Sequence, residues 1–289
     1  MRMHAIQTGS VAVKRHQIKG QGRGVMRPLN TLFGREWTGF LPIYAWAIEH
    51  PEGVIVVDTG ETARVMQPGY LPRWHPYYRT TVRFDVRPEQ EIGPQLRGLG
   101  IQPDDVRWVL LTHMHTDHAG GLHHFPKAEI LVSRKEYAAA AGFAGRITGY
   151  LRQRWPSWFK PQLVDYHSSP VGPFSQSFAL TKAGDVLLVP TEGHSVGHQS
   201  VIVRDGDTSF FFAGDTSYTE QLMLQQAVDG VSPDETVARA TLTRVKRFVL
   251  ETPAVYLPSH DPNAARRLAT RTLASAATIR AYDRPLAVN

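Results

Sequence analysis

Short runs of apolar, β-branched and aromatic residues recur along the chain between turn residues, and they predict β-strands. Residues 43–48 and 54–57 flank the Pro/Gly turn at 50–53, which predicts a β-hairpin. The same reasoning predicts a second hairpin, formed by residues 199–203 and 208–213. It also predicts four single strands, over 106–111, 128–132, 186–189 and 254–257.

Helical patterns alternate with these strands. Ser133 followed by Glu136 has the spacing of a capping box, which predicts the start of a helix. Ser232, with Pro233 at the first helical position and Glu235 at the third, predicts the start of another helix. The helices themselves are predicted over 88–99, from 133 onward, from 232 to about 250 and over 264–280. Because strands and helices recur in both halves, we predict two sheets packed face to face with helices outside.

Three segments lack a clear period. Residues 1–40 contain the Gly-rich basic stretch 19–24, so we interpret them as an N-terminal loop or strand extension. Residues 64–85 and 142–178 are aromatic-rich insertions, and we expect little regular structure in them. Their aromatic side chains either pack as satellites of the core or form the wall of a substrate pocket or a subunit contact.

Composition narrows the class of protein. The 289 residues, with 42% apolar and 10% aromatic residues, are enough for one large core, and we expect a single domain over 1–289. The absence of Cys excludes disulfides, thiolate metal sites and a Cys nucleophile. No apolar run reaches the roughly 18 residues of a membrane span, and the start of the chain lacks a signal-like apolar region. We therefore expect a cytoplasmic protein that has no membrane partner.

The net charge of +6 raises the question of nucleic-acid binding, since 32 basic residues face 26 acidic ones. The basic residues are scattered, and no Lys/Arg run with interleaved aromatics suggests a nucleic-acid groove. We interpret the charge as a solvated surface and expect no nucleic-acid partner.

The strongest chemical signal follows the predicted strand at 106–111. His113, His115, Asp117 and His118 fall within six residues, in the loop after that strand. Loops at the carboxyl ends of strands are where α/β proteins bind ligands. Imidazole and carboxylate groups suit zinc and its first-row neighbours. The cluster therefore predicts a metal site.

Three further residues follow strand-like runs in the same way: His194, Asp215 and His260. With the first cluster they make seven ligands, enough for two metals with three ligands each and one bridging carboxylate. A dinuclear site leaves room for the bridging water or hydroxide that a hydrolase needs. Asp58, at the end of another predicted strand, is either a turn residue or a group that orients a ligand histidine.

These motifs resemble the metallo-β-lactamase superfamily. The resemblance rests on His113-x-His115-x-Asp117-His118, followed in order by Gly193-His194, Gly214-Asp215 and Ser259-His260. It implies an α/β (α+β) fold, the four-layer αβ/βα sandwich, with metals at one edge between the sheets. It also implies a distribution of ligands: His113, His115 and His194 on one metal, Asp117, His118 and His260 on the other, and Asp215 between them.

Within this superfamily the chemistry varies, so the subclass depends on individual residues. His115 stands where the oxygen-reducing di-iron branch has Glu, and this difference favours hydrolysis. The spacing Asp215-x-x-Tyr218 is similar to N-acyl-homoserine lactone lactonases, in which the Tyr reaches the substrate carbonyl. The alternative for Tyr218 is that it only packs below the loop.

The resemblance implies a quorum-quenching lactonase that opens the ring of N-acyl-homoserine lactones by attack of a metal-bridging hydroxide. Tyr218 would stabilise the oxyanion, and Asp117 would carry a proton to the departing ring oxygen. The alternative is a hydrolase of another lactone, a thioester or an organophosphate ester. The implied cofactors are two divalent metal ions, Zn²⁺ first, with Fe, Co or Mn open. A homodimer is expected from the aromatic insertions.

Overall fold

The structure, a computed structural model, describes residues 1–275. Its strands are β1 (Arg2–Val13), β2 (Leu41–His50), β3 (Gly53–Val57), β4 (Val82–Asp85), β5 (Val106–Leu110), β6 (Glu129–Ser133), β7 (Gln162–Val164), β8 (Phe178–Ala179), β9 (Val186–Pro190), β10 (Gln199–Asp205), β11 (Thr208–Gly214) and β12 (Ala254–Pro258). Its α-helices are α1 (Arg15–Ile18), α2 (Met26–Phe33), α3 (Pro76–Thr80), α4 (Ile92–Gly98), α5 (Thr116–Ala119), α6 (Arg134–Ala141), α7 (Glu220–Leu224), α8 (Glu235–Glu251) and α9 (Ala264–Thr270).

The strands form two sheets. The first has seven strands in the order β4-β1-β2-β3-β5-β6-β7, and the second has five in the order β12-β11-β10-β9-β8. Both predicted hairpins are confirmed, since β2 pairs antiparallel with β3 and β10 with β11. The pairs β3–β5, β5–β6, β6–β7 and β11–β12 are parallel, so several strands present their carboxyl ends at the same edge.

Alternation along the strands explains the layers. In β11, Phe210 and Phe212 point into a core between the two sheets, while Phe211 points to the other face and packs with α8. This period of two follows from strand geometry, in which successive side chains leave opposite faces. The outer face of the first sheet likewise packs against residues of α4 and α6. The predicted helix–sheet–sheet–helix sandwich is confirmed.

The N-terminal segment is more regular than the sequence suggested. The loop over 19–24 is confirmed, but β1 is a long strand that pairs with both β2 and β4. The register of β1 shifts between Gln7 and Ser10, where Gly9 adopts a φ of +121°. This irregularity breaks the alternation by which a strand is recognised in a sequence.

The expectation of little regular structure in the insertions is also partly wrong. Residues 64–85 contain α3 and β4, and residues 142–178 contain β7 and the start of β8. Strand β4 pairs with β1, with Phe84 opposite Val11 and Val82 opposite Val13. Such short strands are stabilised by partners that are distant in sequence, and local patterns do not reveal those partners.

Three helix ends differ from prediction. Asp234, rather than Ser232, caps α8, because its carboxylate accepts hydrogen bonds from Thr236 N and Val237 N, while the Ser232 hydroxyl donates to Asp229. The helix predicted over 88–99 is confirmed from Ile92, after a 3₁₀ turn. Helix α9 ends at Thr270, where Arg271 turns left-handed with a φ of +51°, and predicted positions 276–280 lie outside the described residues. Within residues 1–275, no helix has the length and apolar character needed to cross a bilayer.

Candidate metal centre

The structure brings all seven predicted ligands together at one edge of the sandwich. They lie in loops or on a short helix directly after β5, β9, β11 and β12, and these strands come from both sheets. The seven residues, which we call the ligand cluster, are His113, His115, Asp117, His118, His194, Asp215 and His260. Gly214, just before Asp215, has a φ of +56°, and a Cβ there would lie 2.7 Å from the Thr112 side chain. Only glycine fits this turn, which aims Asp215 into the cluster.

Three histidines form the first group. His115 Nδ1 lies 3.0 Å from His113 Nε2 and 3.1 Å from His194 Nε2, and all three atoms lie within 4.8 Å of one another. Ligands about 2.0–2.1 Å from a tetrahedral metal are themselves a little over 3 Å apart. The spacing of the three nitrogens therefore fits one metal ion.

A second group consists of Asp117, His118 and His260, whose ligand atoms also lie within 4.8 Å of one another. Asp215 stands between the two groups. Its Oδ1 lies 3.3 Å from His118 Nε2 and 3.4 Å from His260 Nε2, whereas its Oδ2 lies 3.5 Å from His194 Nε2. One oxygen faces each group, and this is the geometry of a bridging carboxylate.

The hydrogen bonding within the cluster also fits bound cations. His118 Nε2 and Asp215 Oδ1 are fully buried, and neither has a hydrogen-bond partner among the described residues. A buried polar atom without a partner is costly, and a cation between two such atoms would satisfy both. The nitrogen and oxygen donor set, without sulfur, suits zinc and other first-row divalent ions.

The ring nitrogens that face away from the cluster are held by hydrogen bonds. Asp58 Oδ2 accepts from His118 Nδ1 at 2.8 Å, and Asp229 Oδ2 from His194 Nδ1 at 3.2 Å. His260 Nδ1 donates to the Pro42 carbonyl at 2.9 Å. These bonds orient the rings and leave the opposite nitrogens for a metal. For Asp58, whose φ is +57°, this geometry favours the orienting role over that of an ordinary turn residue.

A cavity of about 430 Å³ opens beside the ligand cluster. It is lined by His115, Asp117, His194, Asp215, His260 and Tyr218 on the cluster side. A second set of lining residues, which we call the side wall, comes from β1, α1 and the two insertions: Val11, Val13, Gln17, Tyr77, Tyr78, Val82, Phe84, Ile147 and Tyr150. The insertions therefore line a pocket, as one of the two interpretations of their aromatic residues requires.

Comparison with known families identifies the family of this protein. Residues 38–260 match the family described as the metallo-beta-lactamase superfamily. The chain belongs to the metallo-β-lactamase superfamily. The resemblance inferred from the motifs is thus confirmed, and the matched range contains the complete ligand cluster.

Within this superfamily, the chain is similar to lactonases. The N-acyl homoserine lactonase AttM of Azorhizobium caulinodans is 28% identical over 277 residues, covering 91% of this chain and 94% of that protein. A solved N-acyl homoserine lactone hydrolase with the product N-hexanoyl-L-homoserine at its catalytic metal centre has a TM-score of 0.71 at 22% identity, covering 91% and 94% of the two chains. AidC, a dizinc quorum-quenching lactonase, has a TM-score of 0.62 at 16% identity, covering 90% and 87%.

Tyr218 is buried between the cluster and the side wall of this metallo-β-lactamase fold. Its ring stacks on that of His260, with centroids 5.4 Å apart and planes inclined by 23°. Its hydroxyl accepts a hydrogen bond from Gln17 Nε2 at 2.9 Å. Burial, with the nearby charge of Asp215, raises the pKa of Tyr218 well above its usual value, so the phenol keeps its proton. Tyr218 therefore packs below the loop and also contributes a hydroxyl to the lining of the cavity.

The role of Glu136 is not evident from the sequence, in which its spacing from Ser133 predicts a capping box. The Ser133 hydroxyl does cap the helix, but the buried Glu136 carboxylate points elsewhere. It accepts hydrogen bonds from Met114 N, Tyr150 Oη, Ser195 Oγ and Gly197 N. Burial raises its pKa, although these bonds oppose the rise. Glu136 thus ties the loop after β5 to the loop that follows His194.

His198 was also missed. Its Nε2 accepts a hydrogen bond from Asp215 N at 3.0 Å, while Nδ1 lies 2.9 Å from the Thr191 hydroxyl. Burial, followed by the charge of His194, lowers the pKa of His198 to about 3. The neutral ring therefore acts as an acceptor that fixes the backbone of Asp215. The sequence signal was present, since His198 immediately precedes β10, but a single histidine is weak support for any role.

A second group of residues of metal-binding types consists of Glu91, His123 and His124, and it contacts the loop over 58–63. Glu91 Oε2 is 2.7 Å from His124 Nε2 and 3.1 Å from His123 Nε2. The other oxygen of Glu91 accepts from Ala63 N at 2.8 Å and from the Thr62 hydroxyl at 3.1 Å. These contacts connect the segment after His118 to the loop that begins at Asp58.

Proposed function

We propose that this protein is a dinuclear-metal hydrolase that opens the lactone ring of N-acyl-homoserine lactones, a quorum-quenching reaction. The observation that carries the proposal is the position of Asp215, with one oxygen facing each group of ligands and Tyr218 three residues later in the same cavity. The names of the relatives support the same reaction class.

The proposed metal ligands are those of the ligand cluster, with Asp215 shared and Zn²⁺ as the metal. The donor set of imidazole and carboxylate supports zinc, and one solved relative is described as dizinc. Two divalent ions bound there would lower the pKa of water and polarise the lactone carbonyl. The remaining steps belong to the side chains of this protein.

Tyr218 is proposed to donate its hydroxyl proton to the lactone carbonyl oxygen, where negative charge develops. Its oxygen already accepts from Gln17, so its own proton is free for the substrate. A preorganised donor aimed at a developing oxyanion strengthens as the charge grows, which is how such a group lowers a barrier.

Asp117 is proposed to carry the proton to the leaving group. It lines the cavity, and its side chain is 17% exposed, compared with 4% for Asp215. Attack of water oxygen on the carbonyl carbon forms a new C–O bond and a tetrahedral oxyanion, and the collapse of this adduct breaks the ring C–O bond. The departing ring oxygen would be a poor alkoxide unless protonated. Asp117 takes a proton from the attacking water and delivers it to that oxygen, which gives the hydroxy acid product.

The acyl chain is proposed to lie along the apolar part of the cavity. Ile147 and Val196 line it and are 62% and 48% exposed, so each has apolar surface available for a chain. Burial of a methylene against such surface contributes roughly 0.8 kcal/mol. Ile147 and Val196 therefore set chain preference in this proposal.

A homodimer is also proposed. Exposed apolar side chains on and beside α2 support it, with Val25 76%, Met26 50% and Phe33 73% exposed. Sedimentation of the purified protein tests this point; a single species of 32.3 kDa would contradict it. The cytoplasmic location stays a prediction.

The lactonase proposal is tested by pH-stat hydrolysis of short- and long-chain N-acyl-homoserine lactones by zinc-loaded protein, with a chelated sample as control. A thioester and a phosphotriester serve as comparison substrates. We expect acid release from the lactones to be fastest and to disappear on chelation. Faster turnover of the thioester or the phosphotriester would instead favour the alternative hydrolase class.

A further inference from the structure

Gln17 connects two phenols in the cavity. Its side-chain nitrogen Nε2 lies 2.9 Å from Tyr77 Oη and 2.9 Å from Tyr218 Oη, and Gln17 is only 3% exposed. An amide nitrogen has two hydrogens in a planar arrangement, one for each phenol. Both phenol oxygens therefore act as acceptors toward Gln17.

The direction of these bonds determines what the phenols can still do. Each hydroxyl has one proton, and that proton is not used in the contact with Gln17. Among residues 1–275, neither Tyr77 Oη nor Tyr218 Oη has another hydrogen-bond partner. All three side chains line the cavity that also contains Asp117 and Asp215. The cavity therefore contains two hydroxyl donors that a single amide holds in place.

The spacing of the two donors suits a substrate with two carbonyl groups. Two acceptors on the two hydrogens of one planar amide nitrogen lie about 5 Å apart. In an N-acyl-α-amino lactone the ring carbonyl and the amide carbonyl are joined through the α-carbon and the amide nitrogen. This is the connection between successive carbonyl groups in a peptide, where equivalent atoms repeat at about 3.8 Å. Two hydroxyls at this separation are therefore within reach of both carbonyl oxygens.

We propose that Tyr77 donates its hydroxyl proton to the acyl-amide carbonyl of the substrate while Tyr218 serves the lactone carbonyl. Gln17 is the positioning residue for both. The inference rests on the proposed lactonase function and adds a specificity residue to it: Tyr77, which selects lactones that carry an acylamino group next to the ring carbonyl. A lactone without that group leaves the Tyr77 donor unpaired, and sites built to hydrogen-bond a substrate discriminate against analogues that lack the partner group.

The test compares two substrates, an N-acyl-homoserine lactone and a γ-lactone with an alkyl chain of matched length but no amide. The measured quantity is the ratio of their kcat/KM values in wild type, Tyr77→Phe and Tyr218→Phe. We expect Tyr77→Phe to lower this ratio by about tenfold or more, because only one substrate loses a hydrogen bond. Tyr218→Phe should slow both substrates and change the ratio much less.

Tyr137→Phe is the matched control, since Tyr137 stacks on Trp155 and lies away from the cavity lining. An unchanged ratio in Tyr77→Phe, with correct folding shown by circular dichroism, would overturn the role of Tyr77. Failure of the wild type to hydrolyse either lactone is a different result, which would reject the lactonase proposal together with this inference.

Gln17→Glu tests the positioning role. A carboxylate accepts hydrogen bonds and donates none, so it would draw both phenol protons away from the substrate. We expect lower kcat/KM on both substrates and a ratio close to that of Tyr77→Phe. In the double variant Gln17→Glu/Tyr77→Phe, the ratio should be no lower than in Gln17→Glu alone, because both changes remove the same donor. Independent, additive effects on the ratio would contradict the positioning role of Gln17.

Discussion

The ligand cluster and the side wall line one cavity but are built differently. Ligands of the cluster follow the ends of four strands, and their outer ring nitrogens bond to groups such as Asp58, Asp229 and the Pro42 carbonyl. The side wall draws on β1, α1 and the two insertions, and its residues Val11, Val13, Tyr78 and Val82 form a small separate core with Tyr218. The cluster is thus held by polar bonds at fixed geometry, whereas the wall is held mainly by apolar packing.

This difference suggests separate functions for the two regions. Chemistry at a metal centre tolerates little displacement, so its residues need directional partners. Substrate preference depends on shape and apolar area, which packing can adjust with small changes in side-chain size. We therefore expect changes in the cluster to affect turnover and changes in the wall to affect selection among substrates.

The largest effect is expected from Asp117→Asn. The amide cannot transfer the proton, so kcat for an N-acyl-homoserine lactone should fall by roughly 10²–10⁴-fold. Stopped assays with metal content measured in parallel separate this loss from loss of metal. Asp104→Asn, on an exposed side chain paired with Lys127, is the control. Turnover of Asp117→Asn close to that of wild type would remove Asp117 from the mechanism.

A smaller loss is expected from Asp58→Asn. The amide group would donate to His118 Nδ1 and place the ring proton on Nε2, the atom that faces Asp215. Changes of this kind cost about 10–100-fold in metal affinity or activity. Competition with a chromogenic zinc chelator measures the affinity. Wild-type affinity in this variant would show that the contact with Asp58 does not orient His118 for metal binding.

Glu136→Gln is expected to act on stability more than on chemistry. The amide nitrogen cannot accept two of the four hydrogen bonds that the carboxylate now receives. Leaving buried donors unpaired costs about 1–3 kcal/mol, which lowers the melting temperature of the metal-free protein. Glu129→Gln, at an exposed position on β6, is the control and should melt like wild type. Equal melting of both variants would mean that Glu136 does not tie the two loops.

The smallest effect is expected in the side wall. Ile147→Ser removes apolar surface at an exposed position of the cavity lining. The kcat/KM ratio for long over short acyl chains should fall by about threefold to tenfold, in line with roughly 0.8 kcal/mol per buried methylene. The same ratio in Ile147→Ser and in wild type would mean that the acyl chain does not contact Ile147.

The ligand cluster and the side wall also differ in how well the sequence predicts them. The residues of the cluster could be predicted because their signals lie close together in the sequence. Four of them fall within six residues, and the others follow recognisable strands. The side wall could be predicted only as one of two interpretations of the aromatic insertions. Its contacts could not be predicted, because they span long separations, such as the 201 positions from Gln17 to Tyr218. For Glu136 the sequence predicts only a helix cap, because a capping box and a buried acceptor have the same local sequence. No local pattern distinguishes these two roles.

The most direct test of the account is a zinc titration of metal-free protein, followed by metal content and by hydrolysis of an N-acyl-homoserine lactone. We expect activity to rise with bound zinc and to reach its plateau at two ions per chain, because Asp215 lies between the two groups of predicted ligands. Full activity in the metal-free protein, or no lactone hydrolysis with two ions bound, would contradict it.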